Sequence, residues 1–498
     1  MLDGLLLGFQ VALSLDNLLY CLIGVTLGTF IGMLPGVGPL VTIAVLLPMT
    51  YGLTPVASMI MLAGIYYGAS YGGSSTAILV NLPGESSSVV TCIDGYQMAR
   101  RGRAGAALAI AAIGSFIAGC IGTFSIALFA PMLGSAALAF GPAEYASLIT
   151  MALVATSVLV QGAVVKGLLM ALLGILIGLV GMDVNSGAMR FTFGQQSLME
   201  GIDFVVVAVG MFAFSEIIRE LSLSHRAVEG NVKVDSLMPT RTELQQSVKP
   251  ILRGTAIGMF CGVLPGIGAT VSSFASYVLE KRCAKDPSRF GHGAIEGVAG
   301  PESANNASAQ TSFIPTLTLG VPGSATMALM LGALMIHGIT PGPNVISERP
   351  ELFWGLVASM WIGNVLLVIL NLPLIRLWIT LLKVPYSWLF PMILILSCFG
   401  IYTLSNDPMD VLIGAGFGVF GYIVLQLEFS LAPFILGLVL GPMLEENIRR
   451  ALLISHGDPM VFLESPISAG FLGAAVLLMA LLLMPAIRRA KPHLEQEA

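Results

Sequence analysis

Residues 24–38 read GVTLGTFIGMLPGVG, and residues 254–268 read GTAIGMFCGVLPGIG. Eight of the fifteen aligned positions are identical, which indicates that the chain contains an internal duplication. In both copies a glycine recurs every fourth residue, so one face of each predicted helix is smooth enough for another backbone to pack closely. The two stretches therefore predict a pair of equivalent helices, one in each half of the chain.

Each glycine-rich helix is predicted to stop at a Pro-Gly-x-Gly sequence, which occupies residues 35–38 in one half and 265–268 in the other. Proline removes a backbone donor and clashes with the preceding turn, and glycine allows positive φ. A helix that ends inside a membrane leaves N–H and C=O groups that need protein, water or a ligand as partners. Two matching breaks in matching halves therefore predict a binding site.

The composition indicates that lipid surrounds most of the chain. Hydrophobic residues make up 56% of the 498 positions and charged residues only 10%, against about 45 to 50% and about 25% in soluble domains. With about 20 apolar residues per crossing, the sequence could supply about ten to twelve transmembrane helices. We therefore predict an all-α integral membrane protein. The net charge of -5, with basic residues dispersed in short loops, argues against a nucleic acid as partner.

The distribution of charge predicts the topology. No Lys or Arg precedes Arg100, and the first residues carry Asp3 and Asp16, so the positive-inside rule places the amino end outside and the basic tail in the cytoplasm. We divide the chain into a first repeat at residues 1–218, a cytoplasmic linker at 219–253, a second repeat at 254–487 and a cytoplasmic tail at 488–498.

The same charges suggest how the two repeats are oriented. The first broken helix begins near the acidic outer end and the second near the basic linker, so each is predicted to dip into the membrane and return to its own side. This arrangement is an inverted-topology repeat of re-entrant hairpins. The alternative, a single kinked crossing, would put basic residues such as Lys281 and Arg282 outside. Further along, residues 444–465 are predicted to form an external loop after a crossing near 430–443.

A second polar stretch follows the break in each half. Residues 67–87 read YGASYGGSSTAILVNLPGESS, and residues 301–324 read PESANNASAQTSFIPTLTLGVPGS. Both are rich in Ser, Thr, Asn and Gly, and both contain another Pro-Gly near their end. Hydroxyls and amides at membrane depth are costly without partners, so these stretches predict a polar cavity near the membrane midplane.

The broken helices and the polar stretches together define a candidate site. Unpaired N–H groups at helix ends suit a carboxylate, and unwound carbonyls with side-chain oxygens suit a small hard cation. The predicted substrate-binding residues are Gly36, Gly38, Ser74, Ser75, Thr76, Asn81, Gly266, Gly268, Asn305, Asn306, Ser308 and Thr311. The predicted cation-binding residues are Ser70, Glu302, Ser303 and Asn305, and Na⁺ is the only metal ion considered.

Two carboxylates in the polar stretches remain ambiguous at this stage. Glu302 lies beside a proline and could be a cation ligand, a proton carrier, or a solvated or capping group. Glu85 lies two residues after Pro83 and leaves the same choice open. The sequence predicts no organic cofactor, and it does not separate coupling to Na⁺ from coupling to H⁺.

The stretches described above resemble the large membrane subunit of the tripartite tricarboxylate transporters, the TctA family. The similarity covers essentially the whole chain and includes residues 68–105, GASYGGSSTAILVNLPGESSSVVTCIDGYQMARRGRAG. The resemblance implies cation-coupled uptake of a small organic anion, usually a carboxylate, across the bacterial inner membrane. It also implies two partners, a small membrane subunit and a periplasmic solute-binding protein that delivers the substrate. Membrane lipid would surround the chain, and a homo-oligomer is compatible with the sequence.

Other function classes have less support in the sequence. Residues 68–72, GASYG, match the G-x-S-x-G pattern of hydrolases, but that pattern needs a strand-to-helix elbow with His and Asp partners, whereas the setting here is an apolar glycine-rich helix. We therefore do not expect an enzyme. A channel, or a non-transporting scaffold subunit of a larger complex, is the alternative in which the breaks line a pore or an assembly surface.

Overall fold

The structure of the protein is a computed structural model that describes residues 1–34, 38–159, 163–183, 186–222, 237–375, 377 and 386–483. Within these ranges the chain is almost entirely helical, and its only strands are the antiparallel pair β1 (Gly181–Met182) and β2 (Met189–Arg190). The prediction of an all-α protein is therefore confirmed. The predicted residue Gly36 and the tail at 488–498 lie outside the described residues.

The first half contains ten α-helices within the described ranges. They are α1 (Leu2–Ala12), α2 (Leu15–Gly32), α3 (Pro39–Leu46), α4 (Pro55–Val80), α5 (Val89–Met98), α6 (Ala104–Ala137), α7 (Pro142–Leu159), α8 (Val164–Gly178), α9 (Phe204–Val209) and α10 (Ser215–Ser222). A short 3₁₀ turn at Ser86–Ser88 precedes α5.

The second half contains the remaining helices. They are α11 (Arg241–Val263), α12 (Gly268–Cys283), α13 (Glu296–Thr311), α14 (Phe313–Leu319), α15 (Ala325–Ile336), α16 (Val345–Glu348), α17 (Pro350–Asn371), α18 (Tyr386–Ser405), α19 (Pro408–Gln426), α20 (Ala432–Ile454), α21 (Val461–Glu464) and α22 (Pro466–Leu483). The predicted linker at 219–253 thus overlaps the end of α10 and the beginning of α11.

The long helices begin where the sequence supplies capping groups. The Thr54 side chain accepts a hydrogen bond from the backbone N–H of Ala57, and Pro55 takes the first helical position of α4, where a missing N–H costs nothing. At the start of α11, Thr240 and Glu243 form a capping box, each side chain bonding the backbone of the other. These caps satisfy donors that a helix N-terminus would otherwise leave unpaired.

Large apolar side chains are exposed on the outside, and many polar side chains are buried within a mainly apolar core. Ser, Thr, Asn and Gln residues of α4 and α13 are buried, among them Ser70, Thr76 and Gln310, whereas Phe129, Phe260 and Phe399 are more than half exposed. A soluble protein avoids exposing so many large apolar side chains, because apolar groups avoid water. The chain is therefore a membrane protein whose outer surface contacts lipid.

Among the described residues, four helical segments are long and apolar enough to cross a membrane: Leu15–Gly32, Ser86–Ala137, Pro350–Asn371 and Pro408–Gln426. Several shorter apolar helices of 10 to 17 residues accompany them. The count of ten to twelve crossings remains a prediction.

The predicted external loop at 444–465 is wrong over its first half, because α20 continues without interruption from Ala432 to Ile454. The extension is charged but helical. Glu445 pairs with Arg449 at 2.6 Å and Glu446 pairs with Arg450, each one helical turn further on. Such i,i+4 pairs favour a helix even where a polar composition resembles that of a loop.

The charged loops collect at the two ends of α6. Arg103, just before α6, pairs with Glu243 at 2.5 Å, and the neighbouring Arg101 lies against Gly293. Beyond the other end of α6, the Glu144 carboxylate accepts a hydrogen bond from Ser465 at 2.5 Å. We call the end of α6 near Arg101 and Arg103 the basic end, and the end near Glu144 the acidic end.

Asp94 of α5 fastens the first half to the second at the basic end. Its Oδ1 atom accepts backbone N–H bonds from Gly291, Gly293 and Ala294 at 2.7 to 2.9 Å, and its Oδ2 atom accepts the Tyr277 hydroxyl at 2.9 Å. Gly291 and Gly293 have φ values of 84° and 92°, and this left-handed conformation turns successive N–H groups toward one anion. The side chain is fully buried, so this one carboxylate holds a whole loop of the other half.

Candidate functional site

The glycine face of α2 packs directly on the backbone of α4. Gly24, Gly28 and Gly32 lie so close to the carbonyls of Met61, Ile65 and Ala69, respectively, that a Cβ atom at any of the three would overlap them. The helix ends at Gly32, and the chain becomes helical again at Pro39, with Gly38 as the N-cap of α3. The helix is thus interrupted where the sequence predicts a break.

The second copy makes the same contact in the other half. Gly254, Gly258 and Gly262 of α11 lie against the carbonyls of Gly300, Ala304 and Ser308 of α13, respectively. After α11 ends at Val263, the chain turns through Gly266 and Gly268, whose φ values are 82° and 61°. Glycine is required at Gly266 for a second reason, since the Thr156 backbone of α7 occupies the space of a side chain.

In both halves the second Pro-Gly lies on the end of the broken helix. Gly84 packs against the Gly32 carbonyl at the end of α2. Gly323 packs near the Gly262 carbonyl at the end of α11, and its own carbonyl accepts the N–H of Gly266 at 2.9 Å. In each half, therefore, the end of the broken helix packs against the later Pro-Gly of the same half.

The N-termini of the two helices that follow the breaks converge on one segment, residues 84–88. Gly38, at the start of α3, lies against Gly84 and Glu85. Near the start of α12, the Thr270 hydroxyl is 2.8 Å from that of Ser86. Within the described residues, neither helix start has a side-chain cap. The first N–H groups of both helices, and the positive ends of both dipoles, thus border the same place.

Glu302 of α13 is 1% exposed and bonds side chains of the first half. Ser74 of α4 donates to its Oε2 atom at 2.7 Å, and Thr91 of α5 donates to its Oε1 atom. A small cavity of about 10 Å³ adjoins it, lined by residues that include Tyr71, Ser75 and Ser115. That space is about what one water molecule needs.

Asn305, three residues after Glu302 in α13, contacts a different carboxylate. Its Nδ2 atom donates to Oε1 of Glu85 at 3.0 Å, across the boundary between the halves. Ser70 and Ser87 lie beside the same carboxylate. Three of the predicted residues, Ser70, Asn305 and Glu302, are thus grouped with Glu85 around the contact between α4 and α13.

Several other predicted residues are directed elsewhere. Asn306 donates to Ser115 of α6 at 2.7 Å, Ser303 donates to the carbonyl of Ala299 at 2.7 Å, and Thr311 donates to carbonyls of α11 and α13. Ser75 and Thr76 bond carbonyls within α4. Asn81 is exposed and ends α4 with a φ of 58°, while Ser308 is buried without a hydrogen-bond partner among the described residues.

In the described part of the chain, Ser70 does not lie at the strand-to-helix elbow of a hydrolase, and no cluster of metal ligands is found. Ser70 lies in the middle of α4, so the G-x-S-x-G sequence is not at a strand-to-helix elbow. Among the described residues there is no group of three or more His, Cys, Asp or Glu side chains that could hold a metal ion.

Comparison with known proteins identifies the family. The family model described as the tripartite tricarboxylate transporter TctA family matches residues 18–436. The chain belongs to this family. The family assignment made from the sequence motifs is therefore confirmed, and the family is one of transporter components rather than enzymes. As a TctA member, the chain is a subunit of a membrane transport system.

Two relatives come from Agrobacterium vitis. An uncharacterised 52.8 kDa protein in the TAR-I ttuC′ 3′ region is 53% identical over 499 residues, which cover 100% of this chain and 99% of the relative. An uncharacterised protein in the TAR-II ttuC′ 3′ region is 56% identical over 231 residues, 46% of this chain and 96% of the relative. No solved structure gives a significant match.

The sequence patterns of this TctA-family chain do not single out four residues described above. Glu85 stays ambiguous, and Ser87, Thr91 and Asp94 are not among the predicted site residues. These residues share a position in the sequence, because all of them follow Pro83-Gly84 within eleven residues. The helix after the second break contacts this segment through Thr270 and Ser86.

Proposed function

We propose that this chain is the large membrane subunit of a secondary active transporter that imports a small carboxylate, a tricarboxylate or related organic anion, in symport with Na⁺ or H⁺. The convergence of two uncapped helix N-termini on residues 84–88 carries the proposal. Backbone N–H groups and helix dipoles bind carboxylates without a basic side chain. Two such ends, one from each half, can bind more than one carboxylate group of the same solute.

The inverted arrangement of the halves supports alternating access. The helix α2 runs parallel to α4, whose first turn packs near Gly355 toward the acidic end. In contrast, α11 begins beside Arg103 at the basic end. Helices that enter from opposite ends and break in the middle are typical of inverted-repeat transporters. The positive-inside rule then places the basic end and the C-terminus in the cytoplasm, and the N-terminus in the periplasm of a bacterium with the chain in its inner membrane.

The partners follow from family membership. A small membrane subunit would complete the membrane complex, and a periplasmic solute-binding protein would deliver the anion to the acidic end. In this mechanism the two break regions form part of a rigid unit that rocks or moves, so that residues 84–88 face first one side and then the other.

Counterflow in proteoliposomes tests the function. The complex of this chain with its small subunit and binding protein should exchange labelled citrate, or another member of a panel of mono-, di- and tricarboxylates, with saturation. A channel would pass the solute without such saturation, and a scaffold would neither bind nor exchange it. Either result would contradict the proposal.

The variant Gly266→Leu is expected to abolish this exchange, by at least about tenfold, because leucine is strained at a φ of 82° and collides with the Thr156 backbone. Exchange is compared at equal amounts of folded protein in the membrane, measured by extraction and size-exclusion chromatography, because the same clash also lowers stability. The matched control is Gly416→Leu, since nothing lies within 4 Å of a side chain at that position. If the Gly266 variant exchanged carboxylate at the wild-type rate, the turn through Gly266 and Gly268 would not belong to the site.

A further inference from the structure

We infer that Glu85, Ser70, Ser87 and Asn305 form a binding site for one monovalent cation, Na⁺, shared between the two halves. The inference rests on the proposed function, for which it locates the coupling ion. It also departs from the sequence-based assignment, because it puts Glu85 in the place of Glu302 and omits Ser303.

Three residues that interact with Glu85 each carry a buried oxygen atom without a hydrogen-bond partner among the described residues. Asn305 must direct its amide nitrogen at the Glu85 carboxylate, since an oxygen there would face another acceptor; the remaining Oδ1 atom has no hydrogen-bond partner among the described residues. The hydroxyls of Ser70 and Ser87 interact with the same carboxylate, but neither reaches hydrogen-bonding geometry with it or with any other partner in the described part of the chain. Asn305 and Ser70 are each 1% exposed, and a buried oxygen without a partner destabilises the fold unless a ligand binds it.

The Glu85 carboxylate itself retains room for a cation. It accepts the Asn305 amide at 3.0 Å, while the backbone N–H of Ser88 donates to the Glu85 backbone carbonyl at 3.1 Å. A carboxylate has about four lone-pair positions, so the amide leaves further positions free. The side chain is only partly buried, which an ion that enters and leaves in each cycle requires.

Charge balance favours a monovalent ion. The proposed ligands are one carboxylate and three neutral oxygens, so one Na⁺ gives a neutral site, which limits the cost of burying charge in a low-dielectric interior. Glu302 is a poorer ligand, because Ser74 and Thr91 already donate to its two oxygens.

The site also lies next to the proposed anion site. Gly38, at the N-terminus of α3, is in contact with Glu85. A cation at Glu85 therefore attracts an anion bound at the helix ends, and the anion attracts the cation in return. By linkage, Na⁺ should raise the affinity for the carboxylate by the same factor by which the carboxylate raises the affinity for Na⁺.

Thermal unfolding of the purified protein tests the site directly, without transport. NaCl should raise the melting temperature of the wild type relative to choline chloride at equal ionic strength, since a ligand that binds only the folded state stabilises it. Glu85→Gln should lose this Na⁺ response. Ser70→Ala should need about tenfold more Na⁺, equivalent to about 1.4 kcal/mol.

The matched control is Ser58→Ala, which removes another fully buried, unpaired hydroxyl from the same helix, three turns away. It should keep the wild-type Na⁺ response. The inference is overturned if Na⁺ and choline act alike on the wild type, if Glu85→Gln responds normally, or if Glu302→Gln alone loses the response. In the second and third cases the ion binds elsewhere.

Transport assays separate this inference from the proposed function. Saturable carboxylate exchange together with an intact Na⁺ response in Glu85→Gln would refute the cation site and leave the transporter standing. A Na⁺ response that disappears with Glu85→Gln, in a complex that exchanges no carboxylate, would support the site and refute the proposed function.

Discussion

Replacing Asp94 with alanine is expected to lower the free energy of unfolding by about 3 to 5 kcal/mol, the range of the most severe single substitutions. The variant leaves three backbone N–H groups and the Tyr277 hydroxyl without their acceptor. Each unpaired buried donor costs about 1 to 3 kcal/mol, and water entering the vacated space would recover part of the loss. Carboxylate exchange should fall together with stability. Asp94 and the loop at 291–294 belong to different halves of the chain, so the variant also loses a contact between the halves.

The variant Asp94→Asn separates hydrogen bonding from charge. Its amide oxygen can still accept the three N–H bonds, and its amide nitrogen can donate to Tyr277. It should therefore unfold well above Asp94→Ala in a thermal scan followed by tryptophan fluorescence. Asp3→Ala, at an exposed position of α1, controls for the loss of a carboxylate. Equal melting temperatures for Asp94→Ala and the wild type would show that the loop is held by other contacts.

Introducing leucine at Gly258 is the second change with a large expected effect. The α11 backbone touches α13 at this position, where the Ala304 carbonyl and the Ala307 methyl occupy the space of a side chain. Leucine must push the two helices apart along the whole interface, and overpacking costs about 1 to 3 kcal/mol even where side chains can adjust. Against backbone we expect about 3 kcal/mol or more, seen as reduced yield and a lower melting temperature.

The duplication allows the same substitution to be tested in the other half. Gly28 occupies the equivalent position of the first half, against the Ile65 backbone, so Gly28→Leu should destabilise the protein to a similar degree. Gly258→Ala should fall between the wild type and Gly258→Leu. Gly416→Leu, which faces open space, should melt with the wild type. Tolerance of leucine at Gly258 would mean that the glycine face is not a close helix contact.

Much of the fold could be predicted because its signals are local. Glycine spacing and Pro-Gly-x-Gly indicated where α2 and α11 end, and the composition indicated a lipid-facing helical protein. The prediction of a loop at the α20 extension is wrong because polar composition alone favours a loop, whereas the i,i+4 spacing of Glu445 and Arg449 favours a helix.

The centre of the site was only partly predictable, for a different reason. Glu85 and Asn305 are 220 residues apart, and nothing local to either residue shows that they meet. The helical phase of α13 could have helped: Ser303 and Asn306 are rotated by about 200° and about 100° from Asn305 around the helix axis and point to other neighbours, whereas Glu302 is only about 60° away. A polar stretch thus predicts that some oxygens face the site, but only packing decides which of them do.

The length of α4 gives the position of Glu85 an electrical consequence. Ser70, beside Glu85, is fifteen residues from the start of this helix and ten from its end, or roughly 22 Å and 15 Å along its axis. If α4 crosses the membrane, a positive ion that reaches this depth has crossed about half of the membrane potential. Since one charge crossing 100 mV gains about 2.3 kcal/mol, roughly half of that would add to binding. Occupancy should therefore depend on voltage, and an energised cell would load the carrier more fully than a chemical gradient alone.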